Sequence, residues 1–379
     1  MTPPPDLEPL PRGPFWLGRF IRATAPAWLG LSALETRLLR RRLAPVDRPI
    51  YILGLPRAGT TITLEMVSRH PDAASHRHVD FPNLFTPYLW NSLVARLGLE
   101  NETPHERLHR DGLMVTALSP EAGEESLWTR FIPRLHDEDR SVVLTGDDHH
   151  PRFESFYRDH IRKLLLVRGR RRYVAKGNYN VTRLAYILRM FPDARFLLLV
   201  RHPYHQIASL LKQDRLFTRL FANDSRWGEV TTSIGHYSFG PHKKWVRVGD
   251  GDTVAEIHRL LAANREARAW AVYWSSIYDF VADQLAADPA LAAATTVIRY
   301  EDLVEHAGPT IDRILAHTAL DPRPYAELRA HYLQALRAPD YYRPSFTASE
   351  LADITDATAG TAARFGYDRE SFTALPASA

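Results

Sequence analysis

Cysteine is absent from this chain of 379 residues, which excludes a disulfide framework, a thiolate metal site and a cysteine nucleophile. Long apolar runs are absent too. No stretch of about 18 uncharged apolar residues occurs, so a membrane-spanning helix is excluded. There is no low-complexity tract, no internal repeat, and no block of like charge that would serve as a nucleic-acid arm. Lysine is scarce: of 48 basic residues only Lys163, Lys176, Lys212, Lys243 and Lys244 are lysines. In a chain that uses arginine for generic cations, a lysine marks a position suited to a compact ammonium.

What remains is ordinary globular composition, 45% hydrophobic and 24% charged. That suffices for one large α/β domain with insertions, or for two domains. Formal charge is +4, and residues 1–50 hold eight arginines against Asp6, Glu8, Glu35 and Asp47. The excess therefore sits at the amino end. Residues 2–13 are proline-rich and expected to be disordered. Residues 14–43 read as a basic amphipathic helix (Phe15, Trp16, Phe20 and Trp28 among Arg19, Arg22, Arg37 and Arg40). Such a helix packs on a core or, alternatively, makes peripheral contact with a membrane surface. No secretory signal pattern opens the chain, and the protein is read as cytoplasmic.

Strand signals fall at 48–54, Val142–Thr145, Tyr173–Ala175, Phe196–Arg201 and Thr296–Tyr300. Helical patterns fall at Thr60–Arg69, Val181–Met190, Tyr204–Lys212, Ile257–Leu285 and Thr310–Ala319. The alternation predicts an α/β fold, a P-loop-like three-layer α/β/α arrangement with a central parallel sheet and helical insertions. Segments of about 80–140 and 215–255 are too long for simple crossovers and are expected to cover the carboxyl edge of the sheet. The organisation expected is an extension at 1–47, a core at 48–305 and a carboxyl-terminal helical segment at 306–379.

Two segments carry chemistry. Gly54-Leu-Pro-Arg-Ala-Gly-Thr-Thr61 joins the first strand to the first helix with P-loop spacing, but Thr60 stands where that loop has its lysine. Glycines at both ends let backbone amides face an anion at a helix amino end. With Arg57 as the nearest cation, the ligand expected is a phosphate other than a metal-bound triphosphate. The second segment, Arg201-His-Pro-Tyr-His-Gln-Ile-Ala-Ser209, follows a strand, and Pro203 suits a first helical turn. Arg201 and Ser209 are expected to grip one phosphate together.

In combination these motifs resemble sulfotransferases that use 3′-phosphoadenosine-5′-phosphosulfate (PAPS). Pro56 to Thr61 is similar to their 5′-phosphosulfate loop, in the arginine-containing form of tyrosylprotein and many bacterial members. Arg201-x7-Ser209 is similar to their 3′-phosphate clamp. Lys176 falls where the family has a lysine after a central strand, and Tyr300-Glu301-Asp302-Leu303 matches a segment after the last strand. Ser119–Glu125 and Asn178–Leu184 also resemble bacterial members. Ile62 stands in place of the adenine-stacking tryptophan of the cytosolic type, and Asn178 in place of its catalytic histidine. The likeness is thus nearer the tyrosylprotein type.

The resemblance implies transfer of a sulfuryl group from PAPS to an acceptor hydroxyl, with no metal required. PAPS would be held by Arg57, Ala58, Gly59, Thr60, Thr61, Arg201 and Ser209, with Arg57 and Lys176 stabilising the leaving group. If residues 75–81 are extended, His76, His78 and Asp80 share one face. The family's catalytic glutamate matches His78 in one pattern and falls nearer Asp80 in the other. His78 and Asp80 are equal candidates for the base, His76 stands behind them, and Glu124 and Glu125 are alternatives. Aromatic residues of the insertions (Phe81, Phe85, Tyr88, Trp90, Trp128, Tyr237, Phe239) are candidates for a partly apolar acceptor wall. Lys243 and Lys244 are candidates for nucleotide or acidic-acceptor contacts. The rival readings are a P-loop kinase or NTPase, which calls for lysine at position 60, and a non-catalytic nucleotide-binding protein at a membrane surface.

Overall fold

Short apolar runs with no polar face build the central sheet. Ile50, Tyr51, Ile52 and Leu53 are all buried, as a strand covered on both sides requires. The computed structural model describes residues 10–249, 251–337, 345–368 and 372. Its elements begin with α1 (Arg12–Ala23), α2 (Ala25–Leu39), β1 (Ile50–Leu53), α3 (Thr60–Ser68), β2 (Ala73–Ala74) and α4 (Pro87–Arg96). A hairpin of β3 (His105–Glu106) and β4 (Met114–Val115) follows, then α5 (Glu125–Phe131), α6 (Pro151–Arg168), β5 (Arg172–Lys176) and α7 (Leu184–Met190). β6 (Arg195–Val200) leads into α8 (Pro203–Asn223), α9 (Arg226–Ser233), α10 (Thr253–Ala262), α11 (Glu266–Ala287) and α12 (Pro289–Ala294). β7 (Thr295–Arg299) precedes α13 (Tyr300–Glu305), α14 (Ala307–Thr318), α15 (Ala326–Ala335) and α16 (Ala348–Ala363).

Five strands form one parallel sheet in the order β2-β5-β1-β6-β7. Alternate residues feed two separate cores, because side chains on a strand alternate in direction. Tyr51, Leu53, Tyr173, Phe196 and Leu198 join the layer that holds Tyr157 of α6, Ile207 of α8 and Tyr278 of α11. Ile50, Ile52, Val174, Leu197 and Leu199 join Leu64 of α3 and Ile311 of α14. The expected three-layer α/β/α fold is therefore present. β1 lies between β5 and β6, so the loops leaving these three strands surround one crevice at their carboxyl ends. Such a crevice is where doubly wound sheets bind ligands.

Several expected elements differ. Val142–Thr145 is no strand: the amides of Val142 and Leu144 bond Arg247 O (3.1 Å), in an irregular segment, and Thr182 O (2.9 Å), at the end of a 3₁₀ turn. Its apolar side chains are buried, so burial without a ladder produced the signal. The helix expected over Ile257–Leu285 breaks between α10 and α11, where Asn264 takes φ 57°. The helix expected over 14–43 divides at Thr24, next to Pro26 at the start of α2. Of the proline-rich opening, residues 1–9 lie outside the described residues, and α1 begins at Arg12.

Buried polar contacts pin the loop after β1. Gln206, fully buried on α8, donates its amide to Leu55 O (3.3 Å) and Pro56 O (2.9 Å) and accepts from Trp274 Nε1 at 2.8 Å. Tyr278 donates to Leu199 O (2.9 Å) and accepts the Leu55 amide at 3.2 Å. Gly54 carries φ 136°, and a Cβ there would collide with the carbonyl of Leu199. Gln206→Leu strands an indole N–H and a loop carbonyl in the core. We expect a loss of about 2–4 kcal/mol in urea unfolding. A loss under about 0.5 kcal/mol would show that the loop is held by other contacts.

Candidate active site

β1 ends at Leu53 and α3 begins at Thr60, so residues 54–59 make the whole turn between them. Arg57 and Gly59 adopt left-handed backbone, with φ of 71° and 97°. A Cβ at Gly59 would lie 2.6 Å from the Tyr300 ring, so glycine there admits both the conformation and the close approach. α3 has no side-chain cap at its amino end. Its first-turn amides have no partner within the helix, and the helix dipole makes that end attractive to an anion.

Three cations converge on this turn. Lys176, at the end of β5 and beside Ile52 in register, donates from Nζ to Thr61 Oγ1 at 3.0 Å. Arg107, from the turn of the β3–β4 hairpin, donates from Nη1 to the same oxygen at 3.2 Å. Arg57 donates from Nε to Ser209 Oγ (2.9 Å) and from Nη1 to Asp111 Oδ2 (2.7 Å). Asp111 also accepts both Nε (2.8 Å) and Nη2 of Arg107. Glu121 lies 3.7 Å from Lys176 Nζ. Three positive side chains thus meet two carboxylates, which leaves one unit of positive charge beside the uncapped helix end. Burial disfavours the charge of Asp111, yet the two arginines outweigh it and hold the carboxyl well below the usual range. Burial acts likewise on Glu121, where Lys176 and His78 prevail and keep its pKa low. For Lys176 burial wins: its ammonium titrates below the ordinary lysine value, with Glu121 opposing and Arg107 and Arg57 adding to the shift.

Arg201 stands at the end of β6. Its Nη1 lies 3.3 Å from Arg57 O, and its guanidinium lies 4.6 Å from the centre of the Tyr300 ring. Tyr300 is therefore shared between Gly59 and Arg201. Glu301 accepts the His202 amide at 3.1 Å, which ties the start of α13 to the start of α8. Ser209, expected to act with Arg201, accepts Arg57 Nε at 2.9 Å.

The three base candidates diverge, because residues 75–81 are not extended. His78–Asp80 form a 3₁₀ turn, and side-chain alternation fails there. Asp80 is buried; it accepts Arg168 Nη2 at 2.6 Å and the Arg77 amide at 2.8 Å, and so closes the turn as an ion pair away from the cavity. His76 points into the core, 2.7 Å from His160 Nε2, where burial pushes its pKa down to about 4. His78 alone of the three borders the cavity. Its Nε2 makes no hydrogen bond within the protein and lies 3.5 Å from Glu121 Oε2. Burial lowers its pKa, Glu121 opposes, and His105 and Lys176 add to the lowering. Glu124 accepts from Tyr157 and Tyr173 and is raised by burial to about 7. Glu125 is held at about 2 against burial by Arg183, at 2.7 and 2.8 Å, and by His136.

A cavity of about 370 Å³ opens beside these groups, bordered by Arg57, Thr61, His78, Arg107, Glu121 and Lys176. Phe81 and Phe239 of the insertions wall it, and Phe85 and Tyr237 border a neighbouring cavity. Trp128 belongs to the core, 4.4 Å from the Phe153 ring, and Trp90 is anchored to Val79 O at 2.9 Å. Tyr88 accepts from Arg42 at 3.1 Å. Lys243 pairs with Asp214 (2.9 Å) and Lys244 with Glu138 (3.6 Å). Arg107 and Asp111 were not anticipated from the sequence, nor was His236, which also borders the cavity. Nothing local in the hairpin signals that it folds back on the loop. Glu121 lay within a recognised segment but had no assigned role.

With this geometry the chain belongs to the sulfotransferase family, whose profile matches residues 49–324. Its structure is similar to that of the sulfotransferase STF9 from Mycobacterium avium, with 15% identity, 93% of this chain and 86% of that chain covered, and a TM-score of 0.53. Sulfotransferase STF1 from Mycobacterium tuberculosis H37Rv is 17% identical over 89% of this chain and 81% of that one, with a TM-score of 0.42. A sulfotransferase from Alicyclobacillus acidocaldarius is 14% identical over 86% and 100%, with a TM-score of 0.36. The likeness to the Mycobacterium avium protein is one of fold. No curated protein matches the sequence.

The charge balance of the site makes a prediction. Asp111→Asn removes the shared counter-charge of two largely buried guanidiniums. At low salt it should cost about 3–5 kcal/mol, seen as a lower Tm, and sulfate should restore part of the loss by occupying the vacated charge. A variant whose Tm does not respond to sulfate speaks against an anion site here.

Proposed function

We propose that this sulfotransferase moves the sulfuryl group of PAPS to an acceptor hydroxyl by direct in-line transfer. The observation that carries the reading is the meeting of Arg57, Arg107 and Lys176 at Thr61 and the uncapped turn of α3, next to a cavity that His78 borders. Residues 54–61 hold the 5′-phosphosulfate, and Arg201 with Ser209 serves the 3′-phosphate. In the division of the chain that follows, 48–305 binds the donor and the acceptor hydroxyl, while 1–47 and 306–379 pack around that core.

The chemistry needs a base, a stabilised leaving group and alignment. His78 takes the hydroxyl proton as the acceptor oxygen bonds to sulfur. The bond from sulfur to the 5′-phosphate oxygen breaks, and its electron pair stays on that oxygen. Lys176, Arg57 and the α3 amides meet the charge that develops. Burial keeps His78 neutral and able to accept a proton, and Glu121, 3.5 Å away, balances the imidazolium once formed. Thr60, where a kinase loop has lysine, favours this donor over a nucleoside triphosphate.

His78→Gln should lower kcat by about 10²–10⁴. Wild-type activity should rise with pH through an inflection below 6.5, the ordinary imidazole value, because a protonated His78 cannot accept the proton. The variant should lack that inflection. Rates of sulfate-ester formation from PAPS across pH 4.5–8 test both points. A variant that keeps the inflection and most of its rate removes His78 from the role.

A further inference from the structure

A second cavity, of about 710 Å³, adjoins the first and shares His78, Phe81, Val230 and Ile234 with it. That volume lies in the range of small-molecule sites. The two cavities differ in character. Cations and carboxylates border the inner one. The outer one runs beneath α1, against Phe15, Ala25, Leu84, Phe85 and Leu127, all buried apolar residues. Arg22 pairs there with Glu229 at 3.2 Å, and Arg130, Ser126, Thr129, Thr232 and Ser233 add polar groups to its border. His78 therefore stands where a chamber bordered by cations and carboxylates meets one with a long apolar wall.

Helix α1, which lines the outer chamber, α2, which borders it at Ala25, and α4 outside it carry a second, independent signal. Trp16, Leu17 and Phe20 of α1, Leu38 of α2, and Leu89 and Leu93 of α4 are exposed large apolar residues. Exposed Arg12, Arg19, Arg37, Arg40, Arg41 and Arg96 accompany them. α2 and α4 are joined through Glu35, which accepts the Leu89 amide, and through Arg42, which donates to Tyr88. An apolar face with a basic surround suits an anionic lipid surface. Among the described residues no helix is long and apolar enough to cross a membrane.

From these observations we infer that the acceptor is a lipid-surface amphiphile. Its hydroxyl reaches His78, and its alkyl chain fills the outer cavity beneath α1. The inference rests on the sulfuryl-transfer reading for the hydroxyl end, whereas the chain site stands on the outer cavity alone. Each methylene buried there favours binding by about fourfold at most, at ~0.8 kcal/mol per CH₂. Discrimination by chain length should therefore be steep until the cavity is full.

The test uses the full chain, PAPS, and butanol, octanol and dodecanol as acceptors, with Thr129→Trp and Ser233→Trp as variants. Both positions border the outer cavity and not the inner one. Binding of a dansyl-labelled long-chain alcohol is read separately, without donor, in buffer and with vesicles containing anionic phospholipid. We expect kcat/KM to rise at least tenfold from butanol to dodecanol. Each tryptophan should cut the dodecanol value at least tenfold, leave butanol within threefold, and weaken the labelled probe to match. The wild-type protein should sediment with anionic vesicles, and Trp16→Ser combined with Phe20→Ser should reduce that fraction severalfold. Equal use of butanol and dodecanol, unchanged probe binding in both tryptophan variants, or no sedimentation of the wild type overturns the inference. If no alcohol of any length is esterified, the sulfuryl-transfer reading fails, and probe binding still decides the chain site.

Discussion

Everything at the site depends on the Thr61 hydroxyl and the helix end that carries it. One oxygen accepts from Lys176 and from Arg107 at 3.0 and 3.2 Å, and the amides of the same turn point the same way as those cations. Positive groups at such spacing repel each other in a medium of low dielectric. They persist because strand β5, the hairpin turn and the β1 loop are each held by structure elsewhere. Asp111 and Glu121 relieve part of the repulsion and leave a remainder. An anionic group is the natural complement of that remainder, and a fixed, preorganised set of donors is what charge developing in a transition state requires.

The sheet explains why these groups meet. Parallel strands place all their carboxyl ends at one edge, and β1 sits between its two functional neighbours. Lys176 ends β5, Arg201 follows β6 and Tyr300 follows β7, so residues more than a hundred positions apart share one crevice. Tyr300 shows how tight the fit is. Its ring packs on Gly59 and under Arg201, so the last strand supports both the loop and the clamp. The hairpin adds Arg107 from outside the sheet.

Much of this was legible in the residues. Gly54, Gly59 and the apolar run before them announced the strand, turn and helix. Arg201 stood out because it follows a buried strand, and Lys176 through the resemblance to the family's strand-end lysine. What stayed hidden was long-range. The Arg107–Asp111 pair sits in a short hairpin without apolar alternation, and its partner loop is some 50 residues away. His78 and Asp80 stood level as bases, with His76 behind them, because residues 75–81 read as an extended segment with all three on one face. A 3₁₀ turn there sends Asp80 to Arg168 and His78 to the cavity. The choice depended on Arg168, at the end of a distant helix, and no local pattern encodes it. Val142–Thr145 failed for a related reason: burial and pairing are separate properties, and the sequence reports the first.

The proposed donor preference, for a bisphosphorylated nucleoside without a metal, is tested directly by calorimetry with 3′-phosphoadenosine-5′-phosphate and with ATP, each with and without Mg²⁺. The account predicts that the bisphosphate binds equally well without magnesium, more tightly than ATP, and at least tenfold more weakly in Lys176→Met and Arg201→Ala. Binding confined to ATP with magnesium, or indifferent to both substitutions, would contradict it.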